Sequence, residues 1–271
     1  MHIRRLRFPP RWICLARIGA GADVMKLPVF AVVTATSRDF MRFLMRHPLA
    51  VLLAIACSVL LDRWLGVPLD ESDNQATFAS LLQSCASVLA QFSVCLPLWL
   101  VAVREVVSGT ALPLRLDGPP SPATLRYALF NALLLLAAEP VLLLDGRSPL
   151  LMVVLTAALV GSIWFSLRAT LTFTALALGR LDLGFARSIT KTSGQTLRLL
   201  AILLLPLMAF AAMALALMLL AVVSDADPEL TGPHWPALAV ITAQLFMLCA
   251  AIAGAHIYRR LDMEPPQNGT Y

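Results

Sequence analysis

Gln83, Ser87 and Gln91 stand four residues apart in an otherwise apolar stretch, so a helix carries them on one face. Such a stripe could line a path for a polar solute. Side-chain amides in hydrocarbon more often hydrogen-bond to a neighbouring helix, at about 0.6 kcal/mol per bond, and that is the expected role here. Glu139 is the next candidate, because an acid within an apolar segment can relay protons. It follows Arg126 by 13 residues, about 20 Å along a helix axis. Asp62 and Arg63 reach a comparable depth, 16 and 17 residues past Arg46. An ion pair of Glu139 with Arg63 is therefore expected, with Pro140 marking the end of the helix.

The sets that carry most enzyme chemistry do not occur. Lys26 and Lys191 are the only lysines, both in polar segments, which excludes a Ser–Lys dyad within the apolar runs. His2, His47, His234 and His256 have no partner at metal-ligand spacing, and no Walker loop, GxGxxG, HExxH or GxSxG is present. Of the five cysteines, four fall inside apolar runs without a CxxC pair, as expected of small buried residues. No catalytic residue, cofactor or metal is expected.

The elements that must position these residues follow from composition. Hydrophobic residues make up 59% of the 271, and charged residues 14%, against about 25% in soluble domains. Apolar runs recur at roughly the 20-residue length that crosses about 30 Å of hydrocarbon. Six spans are expected, at about Pro48–Leu65, Ala76–Val103, Leu125–Leu144, Pro149–Thr170, Leu197–Val223 and Pro236–Tyr258. Pro97 and Pro206 fall inside two of them. Ala157 and Gly161, four apart, suit close helix packing. The fold class is an all-α polytopic membrane helix bundle with amphipathic interfacial helices.

Charge orients the bundle. Segments 1–47, 104–126, 168–198 and the tail from 259 hold 19 of the 21 lysines and arginines. The three remaining loops hold only Arg63 and Arg147, with nine of the sixteen acids. The positive-inside rule then puts both termini in the cytoplasm. The net charge of +5 follows this membrane pattern, so no nucleic-acid partner is expected. Arg46, Arg126 and Arg198 each precede a span, which suits either three duplicated hairpins or the charge rule alone.

Residues 1–27 form an N-terminal tail, whose Arg-rich part, 1–24, reads as a floppy tail or as sequence upstream of a natural start at Met25. Residues 28–261 form the membrane domain, and 262–271 a C-terminal tail. Within 28–46, Val29, Phe30, Val33, Phe40, Phe43 and Leu44 alternate with Arg38, Arg42 and Arg46. The pattern suits a helix in the headgroup plane with arginines toward anionic lipid, or a helix docking a partner.

The chain is organised around 164–200. Arg168 lies about 28 Å past Pro149, where its guanidinium can snorkel to lipid phosphate. Thr170, Thr172 and Thr174 are expected to loosen the helix there. A short helix on the inner leaflet should follow, with Leu183, Ala186, Ile189 and Thr190 toward the acyl chains and Arg187, Lys191 and Arg198 in water. Ser188, Thr192 and Gly194 should form the turn into the fifth span, Thr192 capping free amides and Gly194 relieving a positive φ.

The pattern Arg168, Leu171, Ala175-Leu176-Ala177, then Ser188-x-x-x-Thr192-x-Gly194, resembles a broad group of bacterial six-helix membrane proteins. That group is related to the membrane domain attached to some glycerophosphodiester phosphodiesterases. The resemblance extends in element order over about Pro28–Leu261, ending in Tyr258-Arg259-Arg260-Leu261. Thr174 stands where the group usually has proline, and Ile189 where it usually has tryptophan. The phosphodiesterase's acid and histidine set has no counterpart, so the resemblance implies an architecture and lends no catalytic residue. The expected function is that of a non-enzymatic scaffold or accessory subunit in the cell envelope, with anionic lipid and a membrane protein or second copy as partners. The alternative is a small transporter or channel-like protein using the Gln83/Ser87/Gln91 face.

Overall fold

Every regular element is a helix among the residues that the computed structural model describes, 27–65, 78–111, 121–137, 149–223 and 235–262. Helix α1 (Val29–Arg46) ends where Pro48 disfavours helical backbone at His47, whose φ of −122° and ψ of 43° turn the chain sharply. Helix α2 (Pro48–Leu65) begins directly after that corner. Helix α3 (Phe78–Ser108) carries Pro97 inside it and stops at Gly109, whose φ of +70° favours glycine. Helix α4 (Pro122–Leu136) opens on a Ser121 hydroxyl that accepts from the Thr124 amide at 3.1 Å, with Pro122 at the first helical position.

Helix α5 (Pro149–Ala177) runs seven residues beyond the expected Thr170. The threonines do not loosen it. Thr170 donates to the Leu167 carbonyl at 2.8 Å and Thr174 to the Thr170 carbonyl at 3.0 Å, so their hydroxyls are satisfied within the helix. It ends at Gly179 (φ +83°), with Arg180 N–H on the Ala175 carbonyl and Gly179 N–H on that of Leu176, a Schellman turn. The short α6 (Phe185–Lys191) leads to α7 (Thr196–Val223) and α8 (Trp235–Leu261).

Five of these helices, α2, α3, α5, α7 and α8, are long and apolar enough to cross a membrane. The described part of α4 is apolar but has 15 residues, about 22 Å. Leu52 and Leu60 on α2, Val153 and Val160 on α5, and Met208 and Leu215 on α7 all face outward. An apolar exterior on this scale calls for lipid as the solvent. The chain is a multi-pass membrane protein by these features.

The main core lies between α3, α5 and α8, around Leu100, Ala102, Ala169, Ile252 and Ala255. A smaller one joins α1, α5, α7 and α8 through Val32, Leu171, Leu199, Ile202 and Ile257. The close approach of α5 and α8 is at Gly254, where a β-carbon would sit 3.3 Å from the Thr170 methyl. Sequence placed such an approach at Ala157 and Gly161, but both are exposed, and a β-carbon on Gly161 would meet nothing within 4 Å. Cys95 and Cys249 are buried as expected, whereas Cys57 is exposed among lipid-facing residues.

One end of the bundle, its base, gathers the C-termini of α3, α5 and α8 and the N-termini of α2 and α7. Helix α1 crosses this end. The Leu27 amide donates to Gln195 before α7, Asp39 lies 3.1 Å from His256 near the end of α8, and His47 lies 3.0 Å from Glu105 near the end of α3. The side of α1 against the bundle presents Val32, Thr36, Phe40 and Phe43 at three- and four-residue steps. Phe30 lies off that side and is exposed.

Candidate functional site

The base brings Arg168, Ser188 and Thr192 together. Ser188 Oγ donates to the Arg168 carbonyl at 2.6 Å, and Thr192 Oγ1 lies 3.3 Å from the same oxygen and 2.9 Å from the Ser188 carbonyl. Both residues are fully buried. Thr192 thus donates to carbonyls and caps no amide, contrary to the sequence expectation. Gly194 does take the positive φ, +76°, with no neighbour within 4 Å of a β-carbon there. The Arg168 guanidinium rests over the Trp164 ring at 5.5 Å.

These bonds set Ser188 against the bundle, and Leu183, expected toward the acyl chains, is buried in the smaller core. Ala186 and Thr190 are exposed, and Ile189 is half-buried. Phe185 packs between α4 and α5, with ring centroids 4.7 Å from Phe130, 5.3 Å from Phe165 and 6.0 Å from Phe173. Aromatic contacts at one end and the shared Arg168 carbonyl at the other fix which side of α6 meets the bundle.

Lys191, expected in water, is a latch. Its ammonium donates to the Asp262 carboxylate and lies 3.4 Å from the Leu261 carbonyl, tying the link to the end of α8. Asp262, assigned by sequence to the tail, is almost wholly buried in this grip. Arg180 donates to the Tyr258 hydroxyl and to Asp182, and lies 3.8 Å from Asp262. Burial pushes the Asp262 carboxyl up. Bonds from Lys191 and Tyr258 and the charges of Lys191 and Arg180 outweigh it and hold the carboxyl below its ordinary value. Asp182 is held low mainly by its bond from Arg180.

Sequence reasoning missed Glu105. This buried acid sits 3.0 Å from His47 Nε2 and 3.5 Å from Arg46 Nη1, so it holds the α1–α2 corner to the end of α3. Its signal was an acid among apolar residues, in a segment taken as loop. Two arginines cap helix ends nearby: Arg104 Nε donates to the Ala177 carbonyl at 2.8 Å, and Arg259 Nη1 to the Val106 carbonyl at 3.1 Å. Cations at helix C-termini contribute about 0.3–1 kcal/mol each.

Higher in the bundle, Gln91 donates to Asp62 and to Ser87, each at 3.1 Å, and accepts from Gln244 at 3.3 Å. The amide thus joins α2, α3 and α8, in keeping with the helix-bonding expectation for Gln91, whereas its bond to Ser87 stays within α3. Gln83 is exposed on the same helix. Arg63 is exposed at the opposite end of α2, and Glu139, its expected partner, lies outside the described residues. Among the described residues no group of three His, Cys, Asp or Glu could hold a metal. No protein-family model, curated protein or solved structure matches the chain.

Proposed function

We propose that this chain is a six-span bacterial inner-membrane protein with both termini in the cytoplasm, acting as a non-enzymatic scaffold or accessory subunit of the cell envelope. The sixth span would be α4 continued beyond Leu136, and the base would face the cytoplasm, as the positive-inside rule requires. Membership of the six-helix group is part of the proposal, and rests on Arg168, Ser188, Thr192 and Gly194. One observation carries the scaffold reading. Inside the bundle the Gln91 amide is taken up by bonds to α2 and α8, while charge is concentrated on the base, where Arg38, Arg42, Arg187 and Arg260 are exposed. That arrangement offers a charged surface for a partner.

The second reading, a small transporter, is favoured by the Asp62–Gln91–Gln244 chain, a polar thread within apolar helices. Purification from native membranes in mild detergent separates the two. A scaffold yields a partner protein in stoichiometric amount that is lost in Arg187→Glu and kept in Gln83→Leu. A bound polar solute that is lost in Gln83→Leu and Gln91→Leu, with no partner protein, would replace the scaffold by the transporter.

A further inference from the structure

A groove of about 460 Å³ lies between α1 and the end of α8, lined by Phe30, Ala31, Thr34, Ala35, Arg38 and Arg260. Its chemistry is divided. Phe30 and the two alanines make up its apolar lining, and two arginines from separate helices and Thr34 its polar lining. The charges there are poorly neutralised. Asp39 is shared among Arg38 at 3.8 Å, Arg42 at 3.3 Å and His256 at 3.1 Å, and Arg260 has no carboxylate partner among the described residues. Arg38, Arg42, Arg259 and Arg260 against this single acid leave a local excess of three positive charges when His256 is neutral.

A soluble anion would satisfy the arginines but leave the rest of this surface unexplained. Phe30, Met41 and Met45 fall within about 60° of one another around α1, and are 81%, 56% and 71% exposed. This apolar row runs beside the exposed row of Arg38, Arg42 and Arg46. An apolar row along a basic row fits a molecule that is hydrocarbon on one side and phosphate on the other. We infer that the groove between α1 and α8 is a binding site for one anionic phospholipid, its phosphate on Arg38 and Arg260 and an acyl chain along Phe30, Ala31 and Ala35. Zwitterionic lipid carries the same phosphate, but its ammonium is repelled by the local positive excess. The inference rests on the base lying at the membrane surface.

Native mass spectrometry of the full chain, titrated in micelles with phosphatidylglycerol, tests it. One lipid should be retained per chain, in preference to phosphatidylcholine. Arg38→Gln and Arg260→Gln should each weaken retention about 5-fold, and together about 30-fold. Arg42→Gln, outside the groove, should change it less than about 2-fold. Ala35→Leu fills the groove without altering charge and should also weaken retention, which keeps the test open if the double arginine variant does not fold. Equal loss in Arg42→Gln, equal retention of phosphatidylcholine, or unchanged retention in Ala35→Leu would overturn the site. Displacement by millimolar inorganic phosphate would make it a free-anion pocket and overturn the lipid assignment. The assay is blind to sidedness, so its failure leaves the proposed topology to its own test.

Discussion

Ser188 Oγ donates to the carbonyl of Arg168, 20 residues earlier, at 2.6 Å, and this bond fixes the short helix α6 against the last third of α5. The acceptor belongs to a helix interior, where a carbonyl keeps a second lone pair after its own ladder bond. Thr192, one turn further along α6, approaches the same oxygen. Two hydroxyls of one turn thus converge on one residue.

Ser188→Ala should therefore lower stability by about 1 kcal/mol, the usual net worth of a buried hydrogen bond. Thr192→Val should cost a similar amount. Because the two share an acceptor, the double variant should cost less than the sum of the singles. Thermal unfolding of the four proteins in one detergent measures this, and strict additivity would mean that the hydroxyls act independently.

Gly194 has a φ of +76° with open space around its α-carbon, so a substitution there meets a conformational cost and no clash. Gly194→Val should destabilise by roughly 1–2 kcal/mol, the cost of left-handed backbone for an ordinary residue. Gly194→Asn should cost distinctly less, since asparagine tolerates that region. Equal melting temperatures for the two variants would show that the turn relaxes out of the positive-φ region.

What could be read from the sequence divides by range. The long helices, the basic end and the Gly194 turn depend on local composition or on one residue's freedom, and each was visible. The attachment of α6 to α4 and α5 was not. It depends on Phe185 meeting Phe130 and Phe165, and on a serine reaching a carbonyl 20 residues away. Periodicity weighs only apolar residues within a segment and is blind to such contacts. The pairing of Glu105 with His47, 58 residues apart, was hidden for the same reason. Thr170 and Thr174 of α5 misled because threonines that disturb an isolated helix can bond back to its own carbonyls.

Gln91 and Gln83 share a helix but differ in burial, and their leucine variants should separate accordingly. Gln91→Leu removes bonds to Asp62, Ser87 and Gln244 and leaves Asp62 without that donor. A loss of about 1–2 kcal/mol is expected, given about 0.6 kcal/mol for each interhelical bond. Gln83→Leu should shift stability by less than about 0.5 kcal/mol, as exposed sites usually do. Unfolding in sodium dodecyl sulfate titrations reads both, and a larger effect at Gln83 would contradict the helix-joining role.

Asp262 gives the base a dependence on pH. Its folded carboxyl is held below the ordinary carboxylate value, so the contribution is fully present above that ordinary value. It is lost as pH falls from the carboxylate range through the lowered folded value. Asp262→Asn should flatten this part of the acid limb while leaving the rest of the profile in place. Lys191→Gln should do the same in part, because its ammonium is the closest charge on Asp262. Melting temperatures measured from pH 7 down to about pH 2.5 would show it, and parallel curves for wild type and Asp262→Asn would remove the latch as a source of acid sensitivity.

The orientation of the bundle is open to a direct test. Twelve of the thirteen described lysines and arginines lie at or toward the base, with Arg63 alone at the far end of α2. Their partners bind them to helix ends there, as Arg104 does at Ala177 and Arg259 at Val106. Moving these charges through hydrocarbon would cost about 2.5–3.5 kcal/mol for each arginine on insertion scales, so the base should stay in the cytoplasm. A reporter that works only outside the cytoplasm should be silent when fused after Arg187, within α6, and active when fused after Asp227, between α7 and α8. Activity at Arg187 would invert the bundle. Silence at both sites would mean that α7 does not cross, and the count of six spans would fall with it.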